Sequence, residues 1–394
     1  SSAAPLHCAP KSVLIFLITP LLISAEKGGG RKIVVFSDAL NEQAKDELVS
    51  KHGGVKFKDL SLINGSAVWL PDTASEEALE QHAGILRIDD DIEVFALDRN
   101  NKANKAPAPS PSQTLPWGID RIDAELVWPT GNTANPIKVG IIDTGISKDH
   151  PDLAVNIKGG VNTINPTKSW NDDNGHGSHV AGIAAALNNS LGVVGAGPNI
   201  DLYAIKVLNR NGSGFLSDVI EGIQWATANG IKVANMSLGS TSNVQSFHDA
   251  VIAAYNAGVT IVAAAGNSGG AVSFPAAYPE VIAVSATDIN NNLASFSSRG
   301  PEIDLAAPGV SILSTYKGTS YATLSGTSMA SPHVAGSAAL VINSPIGAYD
   351  VNLNGKWDPA EVKQKLRDKA VDLGTTGFDN LFGWGLVNAF SAIQ

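Results

Sequence analysis

The sequence predicts an α/β protein: an open parallel sheet covered on both faces, preceded by a smaller α+β unit. Three observations carry this. From Gln113 onward, short β-branched runs at 137–142, 201–208, 232–238, 259–265 and 281–286 alternate with helical stretches such as 217–229 and 244–257. Those runs are nearly continuous in apolar residues, as expected of strands buried on both faces. Residues 31–98 have a separate rhythm, with apolar runs at 32–36 and 66–70 and helical stretches at 41–52 and 74–82. With a closing strand near 92–97, that order reads strand–helix–strand–strand–helix–strand, a small α+β sandwich. The sequence has no internal repeat.

The chain has 394 residues, enough for two or three folded units at roughly 150 each. Hydrophobic residues make up 44% and charged residues 16%, which excludes wholesale disorder. A net charge of −10 without a dense basic run argues against nucleic-acid binding. Cys8 is the one cysteine, so no intrachain disulfide and no cysteine metal cluster can form. Residues 13–25 (VLIFLITPLLISA) follow Lys11 and end in small residues. A spanning helix needs about 20 residues, so this run reads as a signal peptide, with cleavage expected after Ala25 and the product secreted. Residues 99–112 (RNNKANKAPAPSPS) are polar and rich in Pro, Ala and Ser, the composition of an exposed linker. The expected organisation is therefore 1–25 signal peptide, 26–98 small domain, 99–112 linker and 113–394 main domain.

Three motifs converge on one chemistry. The first strand ends in Ile141-Ile142-Asp143-Thr144-Gly145, and open α/β sheets bind ligands at such carboxyl ends. A lone Asp there is more often a cap or turn residue. Asn174-Gly175-His176-Gly177-Ser178-His179 precedes a small-residue helix expected at 180–187. Gly326-Thr327-Ser328-Met329-Ala330-Ser331-Pro332-His333 leads into an apolar helix through Ile342, which puts Ser328 near free backbone N–H groups. Pro332 is expected in the first turn, where no amide is needed. Asp143, His176 and Ser328 are the parts of an acyl-transfer triad: nucleophile, base and orienting carboxylate. Attack on a carbonyl creates an oxyanion, which needs placed donors. Asn267, in Ala264-Ala265-Gly266-Asn267-Ser268-Gly269, would supply one beside the Ser328 amide.

At this point the chain resembles the subtilisin-like serine proteases. IIDTG, NGHGSHVAG and GTSMASPHVAG stand in that family's order, and the likeness covers nearly all of 113–394. It implies a three-layer domain with a mainly parallel seven-stranded sheet, His176 as the base with His179 a structural neighbour, and 26–98 as a ferredoxin-like propeptide acting as chaperone and inhibitor. Ser178 stands where the family more often has Thr. Gly212-Ser213-Gly214 and Ser237-Leu238-Gly239 resemble the two edges that clamp an extended peptide as an added strand. Ala264 to Gly266 would wall the S1 pocket, and Leu216, Val219 and Leu238 would form an apolar S4 pocket. No acidic residue lies in these stretches, so large apolar or aromatic P1 residues are expected. The linker is the expected processing region, with Leu97 or a neighbour in S1 after self-cleavage. Met329, next to the nucleophile, is an expected oxidation liability. The implied partners are polypeptide substrates and the protein's own propeptide; the resemblance implies a monomer, and no stable membrane span is expected.

Structural Ca2+ is expected at two places. Asp350, Asn352, Asn354, Lys356, Asp358 and Glu361 occupy positions 1, 3, 5, 7, 9 and 12 of a calcium-loop pattern, with Gly355 at 6. Lys356 would act through its backbone carbonyl. An exiting helix is expected at 362–370, without a standard entering helix. By resemblance, Gln113, Asp152, Leu187, Asn189, Leu191 and Val193 form a second, tighter site. The carbonyls of Ala276, Tyr278 and Val281 are candidates for a weaker cation.

Three other readings have discriminators. A catalytically silent binding relative lacks support, since every triad residue is present. A dinucleotide-binding oxidoreductase rests only on 192–197 (GVVGAG), whose glycine spacing does not fit the fingerprint. A calcium-binding structural protein would bind the ion without proteolysis.

Overall fold

The computed structural model describes residues 29–97 and 112–394, together with the backbone of 104–105. The expected signal peptide, Cys8 and most of the linker lie outside the described residues.

The N-terminal unit runs β1 (Gly30–Phe36), α1 (Glu42–Lys51), β2 (Val55–Leu60), β3 (Gly65–Leu70), α2 (Thr73–Glu80) and β4 (Ile85–Asp90). Its strands form an antiparallel sheet in the order β2-β3-β1-β4. Asn41 and Asp72 start the two helices by accepting from the amides of Ala44 and Ser75. Val34, Phe36, Leu48, Val49, Val68, Leu70 and Leu79 fill the space between helices and sheet. The closing strand is β4, not 92–97. Residues 92–97 leave this sheet: β5 (Glu93–Ala96) pairs with the main body instead. β6 (Asn104–Lys105) adds to a hairpin edge further on.

The main body follows with α3 (Trp117–Arg121), β7 (Lys138–Asp143), β8 (Ile157–Asn162), α4 (His176–Ala185), β9 (Asp201–Lys206), β10 (Ser213–Phe215), α5 (Leu216–Ala228), β11 (Val233–Met236), β12 (Leu238–Gly239) and α6 (Gln245–Asn256). It continues with β13 (Thr260–Ala264), β14 (Val281–Thr287), β15 (Leu305–Pro308), the hairpin β16 (Ile312–Thr315) and β17 (Tyr321–Leu324), α7 (Thr327–Ile342), α8 (Pro359–Asp368) and α9 (Ala389–Ala392). Seven strands form one sheet in the order β15-β14-β13-β11-β7-β9-β8, and every neighbouring pair is parallel. Strand alternation sends Val139 and Ile141 to one face and Ile142 to the other. One face packs on α4 and α7, the other on α5 and α6, each over its own apolar core. Each fully buried Val, Leu or Ile contributes roughly 1.5–3 kcal/mol, so two such cores over one sheet fix the layers firmly. This is the three-layer α/β architecture the sequence predicts. The strand order puts the carboxyl ends of β7 and β13 on one edge, beside the start of α7. Among the described residues, no helix is long and apolar enough to cross a membrane.

Candidate active site

Asp143 ends β7 and is fully buried. His176 is the first residue of α4, four residues ahead of the expected helix start. The difference arises because Asp172 accepts from the Gly175 and Ser178 amides, so helical bonding begins at His176 itself. Gly175 precedes it at φ +120°, where a Cβ would also meet the Tyr316 ring at 2.5 Å. The ring nitrogen Nδ1 of His176 lies 2.8 and 2.9 Å from the two Asp143 carboxylate oxygens. One Asp143 oxygen also accepts from the Thr144 amide at 2.6 Å.

Ser328 is the second residue of α7 and is buried. Pro332 lies in the second turn rather than the first. It cannot supply the amide that would bond the Ser328 carbonyl, and Ser237 Oγ donates to that carbonyl instead, at 2.9 Å. Asn267 follows β13, and its Oδ1 accepts from both the amide and the hydroxyl of Thr327. Those two donors fix the amide orientation, which leaves Nδ2 facing outward.

Nδ2 of Asn267 and Oγ of Ser328 both donate to the carbonyl oxygen of Leu97, each at 2.5 Å. Leu97 directly follows the strand that leaves the N-terminal unit. That strand, β5, lies antiparallel between β10 and β12, with Gly214 opposite Val94, Ser213 and Gly239 both opposite Phe95, and Leu238 opposite Ala96. The Ala96 amide donates to Gly212 O and the Leu97 amide to Ser237 O. Both expected edges therefore meet one extended peptide. Gly239 forms a floor: a Cβ there would stand 2.7 Å from the Phe274 carbonyl and 3.2 Å from Leu97 Cδ1. Val94 is fully buried in the same apolar cluster as Leu216, Val219 and Leu238. Ala264 is buried at the end of β13, and the place of a Gly266 Cβ lies within 2.8 Å of the Ser273 and Ser298 hydroxyls.

His179 and His333 are buried near the site but differ in kind. His179 Nε2 faces the carbonyls of Ile312 and Ala322, and His333 Nδ1 faces that of Met329. Burial pushes His179 down to about 3 and His333 to about 4. Both are therefore neutral donors holding backbone. Ser178 Oγ donates to Asp172 and accepts from the Ser147 amide.

The expected cation residues also come together in part. Gln113 Nε2 lies 2.8 Å from Leu187 O, 3.3 Å from Val193 O and 3.5 Å from Asn189 Oδ1. Asp152 accepts from Asn189 Nδ2, the Val193 amide and Tyr321 Oη, and the Leu191 amide donates to Asn189 Oδ1. In the second loop, Asp358 Oδ2 accepts from the amides of Asn352 and Asn354. Asp350 accepts from the Asn354 and Gly355 backbone, and the Lys356 amide donates to Asn354 Oδ1. Glu361 accepts from the amides of Val351 and Asp358. The exiting helix starts at Pro359, three residues ahead of expectation, because Asp358 and Glu361 form a capping box around a Pro suited to the first turn. Among the described residues, no three His, Cys, Asp or Glu side chains converge on one point. The first arrangement draws mainly on amide and carbonyl oxygens; half of the second is carboxylates, Asp350, Asp358 and Glu361.

At the third, weaker cation site, a lysine takes up the Val281 carbonyl. Lys363 Nζ donates to Val281 O at 2.7 Å and Pro279 O at 3.0 Å, and pairs with Asp304 at 2.9 Å. The Tyr278 carbonyl accepts from the Val281 amide. An ammonium thus meets one of the three expected carbonyls, that of Val281. The glycine-rich 192–197 stretch lies between α4 and β9, a helix-to-strand connection rather than the strand-to-helix turn a dinucleotide needs.

Sequence reasoning missed Thr144, Asp172, Lys206, Ser273 and Phe274. Asp172 stands two residues before the Asn174-Gly175-His176 motif, and that proximity was the available signal.

A fold with this parallel sheet, with Asp143 against His176 and with Ser328 and Asn267 on one carbonyl, belongs to a known class. Residues 134–385 match the family model described as the subtilase family, and the chain belongs to that family. It is a subtilisin-type serine endopeptidase. An alkaline protease of Alkalihalobacillus alcalophilus is 47% identical over 319 residues, covering 81% of this chain and 76% of the relative. Subtilisin Savinase of Lederbergia lenta is 49% identical over 284 residues, 72% of this chain and 100% of the relative. A thermostable alkaline protease of Halalkalibacterium halodurans is 42% identical over 382 residues, 97% of this chain and 96% of the relative.

Proposed function

We propose that the chain is a secreted, calcium-stabilised endopeptidase precursor that cuts itself between Leu97 and Asp98. The observation that carries this is the Leu97 carbonyl, held at 2.5 Å by both Ser328 Oγ and Asn267 Nδ2. Ser328 Oγ attacks that carbonyl carbon, and His176 takes its proton. Asp143 orients the imidazole and stabilises its cationic form. Asn267 Nδ2 and the Ser328 amide hold the oxyanion. The bond to Asp98 breaks as His176 returns the proton to the leaving amine, and water then releases the acyl group from Ser328. Other polypeptides are cut in the same way once the groove is vacated. Leu97 in the P1 place and Val94 in the apolar P4 place support a broad preference for apolar P1 residues.

The N-terminal unit acts as inhibitor and folding chaperone, since β5 fills the groove that substrates need. Residues 1–25 direct export, and the mature enzyme acts outside the cell as a monomer. The precursor's intact mass, followed with time in calcium, tests the processing. The expected fragment ends at Leu97, and Ser328→Ala stays whole. A parent that remains intact would sink self-processing, and a split within 99–112 would move the bond.

Calcium fits the 113/152/187–193 loop because three oxygens already surround one polarised donor, Gln113 Nε2. Turned over, that amide would add its own oxygen beside Asp152, Asn189 and the carbonyls of Leu187, Leu191 and Val193. A second ion in the 350–361 loop would require Asp350, Asp358 and Glu361, which accept from amides, to turn inward with Asn352, Asn354 and the Lys356 carbonyl. Bound calcium supplies stability, not chemistry. Excess EDTA is expected to lower the melting temperature; an unchanged value would refute both sites.

A further inference from the structure

We propose that Asp172 is a positioning residue that fixes the separation of Asp143 and His176 through Thr144. This rests on the roles given to Asp143 and His176 above.

Asp143 ends β7 and His176 opens α4, and no sheet ladder ties those two ends together. Asp172 spans the gap. Its Oδ1 accepts from Thr144 Oγ1 and from the amides of Asn174 and Gly175, each at 2.9 Å. Its Oδ2 accepts from the Ser178 amide at 3.0 Å and Ser178 Oγ at 2.6 Å. Thr144 is gripped on three sides. Its amide donates to Asp143 Oδ1, its hydroxyl accepts from the Gly177 amide at 2.9 Å, and its carbonyl accepts from Lys206 Nζ at 2.7 Å. Lys206 in turn pairs with Asp173, beside Asp172. Thr144, Asp172 and Ser178 are all buried. The residue next to Asp143 is therefore bonded, through one hydroxyl, to the first turn that carries His176.

The chemistry requires a carboxylate. All five partners of Asp172 are donors, so an amide would turn an N–H against the Ser178 amide. Asp172 has no bond to β5 or to Leu97, so it acts only through its neighbours.

The test uses the first-order rate of self-cleavage in the intact precursor. Leu97 is already seated, so this rate reads chemistry without substrate capture. Thr144→Val cuts the link while leaving the bonds from Asp172 to α4. The expected result is a rate on the order of 100-fold lower, the usual cost of a small misplacement of reacting groups. Asp172→Asn is expected to act in the same direction. Thr144→Ser, which keeps the hydroxyl, is expected to restore most of the rate. Melting of Thr144→Val and Asp172→Asn in the Ser328→Ala background checks that each folds. A parental rate for Thr144→Val, or equal losses in Thr144→Val and Thr144→Ser, overturns the proposal. Ser328→Ala alone tests the underlying assignment: if it still cleaves, the triad reading falls instead.

Discussion

Helix α4 and helices α5 and α6 begin in the same way but are held from different places. Each has a serine in its first turn whose amide and hydroxyl both donate to one carboxylate. For α4 the pair is Ser178 and Asp172, inside the same domain and close in sequence. For α5 it is Ser217 and Asp91, and for α6 it is Ser246 and Asp89, both from the N-terminal unit. An anion at a helix start satisfies free amides and meets the positive end of the helix dipole. The difference is permanence. The α4 cap lies within the body it serves, whereas the α5 and α6 caps would depart with the N-terminal unit on the proposed self-cleavage. One interaction thus serves both inside the body, at α4, and as a clasp across its seam with the N-terminal unit, at α5 and α6.

Acid should break the interior side of that comparison with the largest effect. His179 and His333 are held neutral in the folded chain, at about 3 and about 4, against an ordinary value near 6.5. The unfolded chain therefore binds more protons as pH falls. Their contribution is complete above about 6.5, declines below it, and is lost as the folded values are reached, by several kcal/mol in all. Melting temperature against pH checks this, and a flat profile between 7 and 4.5 would contradict it.

The outer side should break next, with Asp91→Ala. Asp91 is buried and takes the Ser217 amide, the Ser217 hydroxyl and Arg31, whose guanidinium also lies 3.8 Å from the centre of the Phe215 ring. Charge-assisted bonds are worth about 1.5–3 kcal/mol each, so the cleaved unit should let go at least ten times faster. Activity appearing after self-cleavage, timed in parent and variant, reads that release; identical delays would remove Asp91 from the clasp.

The smallest effect should come from the rim. Arg87 pairs with Asp249 at 2.6 Å with both side chains partly exposed. Such pairs contribute up to about 1 kcal/mol and are screened by salt. Raising salt should shorten the delay slightly, and Arg87→Ala should reduce that response, with the Lys58 pairs to Asp218 and Glu221 keeping the rest. A salt effect of full size in Arg87→Ala would place the sensitivity elsewhere on the seam.

Much of the body was legible because its strands are continuous apolar runs and its three motifs are long. The helices α5 and α6 fall within one residue of expectation at each end. Elsewhere a strand's identity was readable but its partner was not. Residues 92–97 do contain a strand, yet it joins β10 and β12 rather than β1. β4 reads Ile-Leu-Arg-Ile-Asp-Asp, and its acidic end disguises it because Asp89 serves the seam. The site shows the same division. Asp143, His176, Ser328 and Asn267 stand out by their neighbours in sequence. Thr144 and Asp172 matter only through bonds formed across the fold, which local pattern does not record.

The turn at 279–281 has its positive charge built into the chain, on Lys363. A bound ion is held by mass action, so its benefit shrinks as the surrounding medium is diluted. Lys363 is present once per molecule at any dilution and in any salt. A chelator cannot strip it, and a competing ion must displace a covalently attached rival that also pairs with Asp304. That corner of the sheet has fixed stoichiometry, set when the chain is made rather than by what the medium supplies.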